Sequence, residues 1–208
     1  MIDEDNIITT GNEYIRNGVA YTRISRILGG FVPDGLLNWY KRTSKAKIDK
    51  MFKVSTEIGS LVDEWAECYA FGNEFNQEIP DDYLEAYSNC INAFAQWVAD
   101  DKPVFNDSQV TRFDDRLKVA GSRDFRINEY TILDVKTGTK INQYPIKKSY
   151  WLQVNKYADM ESCVDIRKVA IVVLDKDTGE YRYEEREVNQ DVIDVFDGMV
   201  NTYRYFNS

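Results

Sequence analysis

In the segment TILDVKTG, residues 131–138, an aspartate and a lysine stand two residues apart. The segment alternates as a strand does, and residues i and i+2 of a strand share a face, so Asp134 and Lys136 stand side by side. Upstream, VAGSRDFRI carries Asp124 just after a Gly-Ser pair on a second strand-like run. A turn at Asn128 and Glu129 lets the two runs pair, which brings Asp124 toward Asp134. Two carboxylates beside a lysine suit a hard divalent cation, Mg²⁺ or Mn²⁺, because oxygen ligands match such ions and the ion offsets the carboxylates' repulsion. The main-chain carbonyl of Val135 is a further candidate ligand. An ordinary cross-strand salt bridge at a sheet edge would use the same residues.

Composition narrows the chemistry further. The 208 residues include no histidine, which removes Ser-His and Cys-His nucleophiles, histidine-ligated zinc and any imidazole base. What remains is carboxylate, lysine, tyrosine or metal chemistry. The net charge of −9 argues against a nonspecific polyanion-binding coat but leaves room for a local basic cleft. Cys68, Cys90 and Cys163 are widely spaced without a CxxC pair, as expected of reduced core thiols rather than a disulfide frame or metal cluster.

The elements that must position these residues follow from periodicity. YTRISRILGGFVPDGLLNWYKR predicts a helical turn over residues 22–28, a Gly- and Pro-rich loop and a short helix from Leu36. KIDKMFKVSTEIGSLVDEWAECYAFG has apolar residues at helical spacing (Ile58, Leu61, Val62, Trp65) and predicts one long helix ending before Gly72. DDYLEAYSNCINAFAQWVADD predicts a second, with Asp81 or Asp82 as its cap. From residue 107 the period falls toward two, predicting three antiparallel strands, SQVTRFDD, LKVAGSRDFRIN and YTILDVKTG. KKSYWLQVNKYADMES returns to helix, KVAIVVLDKDTGEYRYEEREV reads as a hairpin about Asp-Thr-Gly, and DVIDVFDGMVNTYRYF closes as a helix. The order expected is helices, three strands, a helix, two strands and a helix.

KVAIVVL is apolar on both faces, as in a central strand, so the fold class expected is α/β with a mixed sheet covered by helices. Length, 43% hydrophobic and 13% aromatic content suit a single globular domain over residues 1–208, mainly helical over 1–103 and carrying the sheet core over 104–208. No apolar run is long enough to span a bilayer and the opening residues lack a signal-peptide pattern, so a cytosolic protein is expected. Trp39, Trp65, Trp97 and Trp151 lie on predicted helices and are assigned to the core. The acidic runs DEDN, residues 3–6, and YEEREV are assigned to the solvated surface.

Taken together, GSRDF, then LDVKTG, then LQVNKYA resemble the core motifs of the PD-(D/E)XK nuclease superfamily, in the branch with RecB-type domains, lambda exonuclease and mitochondrial genome maintenance exonuclease. YTRISRIL followed by GLLNWYKR is similar to the opening of phage and mitochondrial members, and EIGSLVDEW to a GxxxH helix of that branch. The likeness runs from Tyr21 to Tyr157. It implies a restriction-endonuclease-like core in which Asp124, Asp134 and Lys136 hold the metal and activate water, with Gln153 and Tyr157 following on one helix face at i,i+4 spacing. Asp63 stands where the branch has histidine, with Glu64 and Glu67 as alternatives. The family's glutamate on the preceding strand has only Asp107 or Gln109 to match it. The cluster cysteines of some RecB-like relatives are missing, which implies a cluster-free type.

The function expected is a Mg²⁺- or Mn²⁺-dependent deoxyribonuclease, in exonuclease form, hydrolysing phosphodiesters in phage or cellular recombination, repair or replication. Hydrolysis needs a hydroxide at neutral pH and neutralisation of transition-state charge, and divalent metal supplies both while Lys136 orients the water. DNA would run past Arg123 and Arg126 on one strand and Lys140, Lys147 and Lys148 after the other. Phage or host recombination or replication proteins are the partners that such a role implies. The alternative is a catalytically silent module that kept the fold to bind DNA or protein.

Overall fold

The computed structural model describes residues 7–207, and the acidic run at residues 3–6 lies outside them. In chain order the elements are β1 (Ile7–Thr9), β2 (Glu13–Arg16), β3 (Val19–Arg23), α1 (Ile24–Gly29), α2 (Asp34–Arg42), α3 (Lys45–Phe71), α4 (Leu84–Asp101), β4 (Phe105–Asp114), β5 (Val119–Ile127), β6 (Thr131–Gly138), α5 (Lys148–Asp159), β7 (Lys168–Asp175), β8 (Tyr181–Glu187) and α6 (Gln190–Asn207). The fold is α/β with one mixed sheet, as the period-two runs and the doubly apolar β7 require.

The three leading strands depart from the expected order. Ahead of the helical turn expected at residues 22–28, β2 and β3 form an antiparallel hairpin, and the helix itself is present but begins at Ile24. Its turn is Asn17-Gly18, with φ of 52° and 78°. That dipeptide between alternating runs, EYIR and VAYTR, is a strong hairpin signal because its residues tolerate the left-handed region. β3 then pairs in parallel with β5 through Thr22 and Arg23, a contact between segments about a hundred residues apart that no local period announces.

Within the sheet the order is β1-β2-β3-β5-β6-β7-β8, with β4 on β5. β4, β5 and β6 form the antiparallel meander and β6 pairs in parallel with β7. β7 is apolar on both faces because both are covered. Val169, Ile171 and Val173 pack with Trp151, Val154 and Phe196 of α5 and α6. Ala170, Val172 and Leu174 pack with Val62, Phe94 and Trp97 of α3 and α4. Tyr183 of β8 lies 5.6 Å from Trp97, packed against the same core.

α3 stops at Gly72, whose φ of 69° closes the helix in the left-handed form that glycine adopts freely. Neither Asp81 nor Asp82 caps α4: they form a 3-10 turn, and α4 starts at Leu84 without a side-chain cap. Trp97 and Trp151 are core, whereas Trp39 and Trp65 are half-buried, Trp65 packing at the edge of the core between Tyr69 at 4.9 Å and Phe94 at 6.2 Å. Of the cysteines only Cys90 is buried; Cys68 is half-buried and Cys163 is exposed in the segment after α5.

Two buried charges tie elements together. Lys156 of α5 reaches Asp114 and Asp159 at 2.7 Å and Asp197 of α6 at 3.2 Å. At the end of β7, Asp175 accepts the N–H groups of Ile141, Asp177 and Thr178 at 2.9–3.1 Å. Burial works against that carboxylate, but those backbone donors outweigh it and hold its pKa below the usual range. The segment after β6 is therefore clamped to the end of β7.

Candidate active site

β5 and β6 stay paired only between Phe125↔Leu133 and Ile127↔Thr131. Beyond that point they part, and Asp124 and Asp134 lie on the parting ends. The Val135 N–H, which has no β5 carbonyl to use, donates to Asp124 Oδ2 at 2.8 Å. Two residues along β6 from Asp134, the Lys136 ammonium comes back to it. Nζ stands 2.7 Å from each carboxylate oxygen but is aligned to donate to Oδ1 only. Oδ2 of Asp134 is therefore buried without a hydrogen-bond partner, on a residue 1% exposed.

A change of face explains how Asp124 comes to point into the gap. Ser108 of β4 donates to Glu67 of α3 at 2.5 Å, yet Arg112, which strict alternation would put on the same face, reaches Glu161 just past α5 at 3.0 Å. Between them Gln109 has a φ of 50°. On β5, Arg123 reaches the same Glu161 at 2.7 Å while Phe125 sits in the core beneath α3 and α4. Both strands thus swap faces, at Gln109 and at Asp124, a local break in alternation of the kind that re-aims side chains.

The carboxylates repel and are starved of water. Burial raises the pKa of Asp124, with Lys136 and the Val135 N–H opposing. Burial also pushes Asp134 up, to about 7, against Lys136 and with help from Asp124. Asp63 of α3 joins them: burial, then Asp124, raise its carboxyl well above the usual range, and Lys136 is the charge that opposes this. Lys136 has its pKa raised, because the attraction of Asp134 and Asp124 outweighs burial, and it stays protonated.

Asp63 is therefore the acid of its helix that faces the pair. Glu64 is exposed and accepts from Gln77 at 3.2 Å, and Glu67 is taken by Ser108. Among the described residues no group of three acidic or thiol side chains is gathered closely enough to hold a metal.

From the other side, α5 contributes Gln153 and Tyr157, joined by a Gln153 Nε2 to Tyr157 hydroxyl bond of 2.8 Å. Tyr157 is buried and packs on Gly121, where a Cβ would fall 2.6 Å from its ring. Burial, then the charge of Asp134, raise its hydroxyl pKa. Next to this pair lies a pocket of about 160 Å³ lined by Tyr14, Arg23, Ser25, Ser122, Gln153 and Tyr157. Arg23 donates to the Tyr14 hydroxyl at 3.3 Å and lies over its ring at 4.7 Å, but its Nε is buried without a partner. A confined guanidinium with hydroxyls and an amide beside it suits an anion of phosphate size. Sequence reasoning missed Arg23 because it took the segment for helix; the Asn-Gly hairpin signal would have put it at a strand end beside β5.

The two arginines expected along a DNA path are both bound to acids of the protein. Arg123 is 1% exposed and is held by Asp107 and Glu161, while Arg126 is drawn to Asp107 at 2.6 Å. The half-buried Asp107 and the buried side chain of Glu161 claim them. Asp107 is thereby committed to arginines, and Gln109 lies at the face change. Lys140, Lys147 and Lys148 are exposed beyond the carboxylates. Lys140 and Lys147 line a groove of about 920 Å³ between α2, α3 and the segment following β6.

In sequence the chain matches no family model and no curated protein. Solved structures do share its fold. An alkaline exonuclease from Laribacter hongkongensis superimposes with a TM-score of 0.51 at 12% identity, over 89% of this chain and 86% of that one. A candidate exonuclease from Eubacterium rectale gives 0.54 at 15% identity, over 88% of this chain and 77% of that one. The chain thus has the α/β fold of these two structures.

Proposed function

We propose that this protein is a Mg²⁺- or Mn²⁺-dependent deoxyribonuclease that removes nucleotides from a DNA end. The observation that carries the reading is the burial of two acids and a lysine together, Asp124, Asp134 and Lys136, where β5 and β6 part, with one oxygen of Asp134 left without an aligned donor. The donors on hand are oxygens, which fit a hard divalent ion. Asp124, Asp134 and the Val135 carbonyl would hold it, and Asp63 would have to draw in from α3 to add a third carboxylate, since the three are not gathered around one point without the ion. Bound there, the ion would supply Lewis acidity and lower the pKa of water to the neutral range.

Lys136 keeps its proton and sits beside the acid, so it offers fixed positive charge where the pentavalent phosphorus builds negative charge. Gln153 and Tyr157 orient the reacting phosphate from the α5 side. The Arg23 pocket next to them supports end-directed over internal cleavage, since a confined cation recognises a terminal phosphate that an internal position does not offer. Lys140, Lys147 and Lys148 contact the approaching backbone. A place in phage or host DNA recombination, repair or replication, in the cytosol, fits such an activity; the exonuclease names of the fold's neighbours support the exonuclease reading itself.

The test is to incubate the purified protein with linear and circular, single- and double-stranded labelled DNA in Mg²⁺ or Mn²⁺, alongside Asp134→Asn and Lys136→Ala. Linear DNA should be degraded and circular DNA spared, with Lys136→Ala slower by about 10²-fold and DNA binding kept. No cleavage of any substrate would instead identify a silent binding module.

A further inference from the structure

The 920 Å³ groove is not needed to build the carboxylate site, and its lining is unusual for this protein. One wall is α2 and the start of α3, carrying Leu36, Trp39, Met51 and Phe52; the other is the segment clamped by Asp175, carrying Tyr144 and leading to Tyr150. α2 buries none of its residues although Leu36, Leu37 and Trp39 lie along it, and Met51 and Phe52 are each half exposed. An amphipathic helix with no buried residue has its partner still to come.

The charge around the groove indicates what that partner is. In a chain of net charge −9, five lysines and a single acid, Asp177, line it. The groove is also continuous with the proposed catalytic centre: the Tyr150 ring receives the Lys136 ammonium at 5.6 Å and the Lys147 ammonium at 5.3 Å. Two copies of a chain of net charge −9 repel one another as they approach, and a neutral peptide gains nothing from the lysines, whereas an extended polyanion meets each of them with a phosphate. The aromatic lining adds a condition. Trp39, Phe52, Tyr144 and Tyr150 can stack only on bases whose faces are free, and a duplex offers base edges alone.

We infer that this groove is the track of an unpaired nucleic-acid strand, its bases on the aromatic residues of α2, α3 and the 139–150 segment and its phosphates on Lys47, Lys50, Lys140 and Lys147. The inference deepens the nuclease reading by naming single-stranded nucleic acid as what reaches the carboxylates. Strand separation then precedes entry, and a duplex is degraded only through its frayed end.

The experiment measures binding of the full chain, in EDTA so that nothing is cut, by fluorescence anisotropy. The probes are a labelled oligo-dT, a blunt hairpin duplex and an abasic strand of equal length. Oligo-dT should bind at least about tenfold tighter than the other two. Trp39→Ala and Tyr144→Ala, both at positions outside the core, should each weaken oligo-dT about fivefold or more and leave the abasic strand unchanged. Lys47→Ala and Lys50→Ala should instead weaken all three probes and flatten the salt dependence.

Equal binding of duplex or abasic strand, or aromatic variants that bind oligo-dT like wild type, would overturn the inference. So would sedimentation showing a dimer that Trp39→Ala splits while oligo-dT binding is kept, since a second copy would then cover this face. The two readings fail separately. Cleavage with a Trp39-independent strand site leaves the nuclease standing alone, and Trp39-dependent strand binding without cleavage in Mg²⁺ leaves the track standing alone.

Discussion

The Asp124 carboxylate accepts the Val135 N–H at 2.8 Å, so a side chain of β5 occupies the place of the strand carbonyl that would otherwise continue the β5–β6 ladder. One residue thus ends the pairing, satisfies the freed donor and points a carboxylate at Asp134. Its two duties separate by substitution. Asp124→Asn keeps an acceptor for Val135 and should unfold within about 1 kcal/mol of wild type while losing hydrolysis. Asp124→Ala strands a buried donor and should cost about 1–3 kcal/mol besides. Thermal melts alongside the nuclease assay check both, and equal melts for the two variants would remove the ladder role.

The raised pKa of Asp134, about 7, sets a pH dependence. A carboxyl whose folded pKa lies above its unfolded value favours the protonated native state, so its contribution to stability is full below pH 4 and lost as pH rises through 7. A divalent ion takes the proton's place, and below pH 7 each displaced proton costs about tenfold in affinity per unit. Mg²⁺ or Mn²⁺ should therefore raise Tm more at pH 8 than at pH 5.5. The opposite order in a melting series with and without EDTA would count against metal binding at this acid.

Asp63 is the acid of α3 whose charge is coupled to both Asp124 and Asp134. Asp63→Ala should raise the metal concentration needed for half-maximal cleavage, and Asp63→His should retain much of the activity. Glu64→Ala should behave as wild type, since Glu64 is exposed and bonds Gln77. Glu67→Ala should cost about 0.5–1.5 kcal/mol of stability through the lost Ser108 bond and leave the metal requirement unchanged. A metal titration of the three alanine variants decides which acid of the helix serves the site.

Gly121 is the seat of Tyr157. A Cβ there would lie 2.6 Å from the ring and 3.1 Å from the hydroxyl, so Gly121→Ala must push Tyr157 off β5 and strain its bond to Gln153. The expected loss is about 1–3 kcal/mol in a denaturant melt, as for overpacked cores, with slower cleavage. Unchanged stability would mean that α5 has room to move away from the sheet.

How much was legible divides along a physical line. The runs that become α3, α4, α5 and α6 carry a period near 3.6, the strands β4 to β8 announce themselves by alternation or, in β7, by an unbroken apolar run, and the Asp134–Lys136 and Gln153–Tyr157 pairs and the turn at Asn128 are local, so sequence spacing by itself determined them. What required the tertiary structure was each relation between distant segments: β3 beside β5, Arg23 in a pocket with Ser122, Arg123 turned into the protein by Asp107 and Glu161, and α2 across a groove from Tyr144. None has a local period, because a strand's partner, a buried charge's counter-charge and the far wall of a groove come from segments 16 to more than 100 residues away. Arg123 marks the boundary. Its position beside Asp124 was plain from the chain, but its side was decided by the face change at Asp124 and by where α5 delivers Glu161.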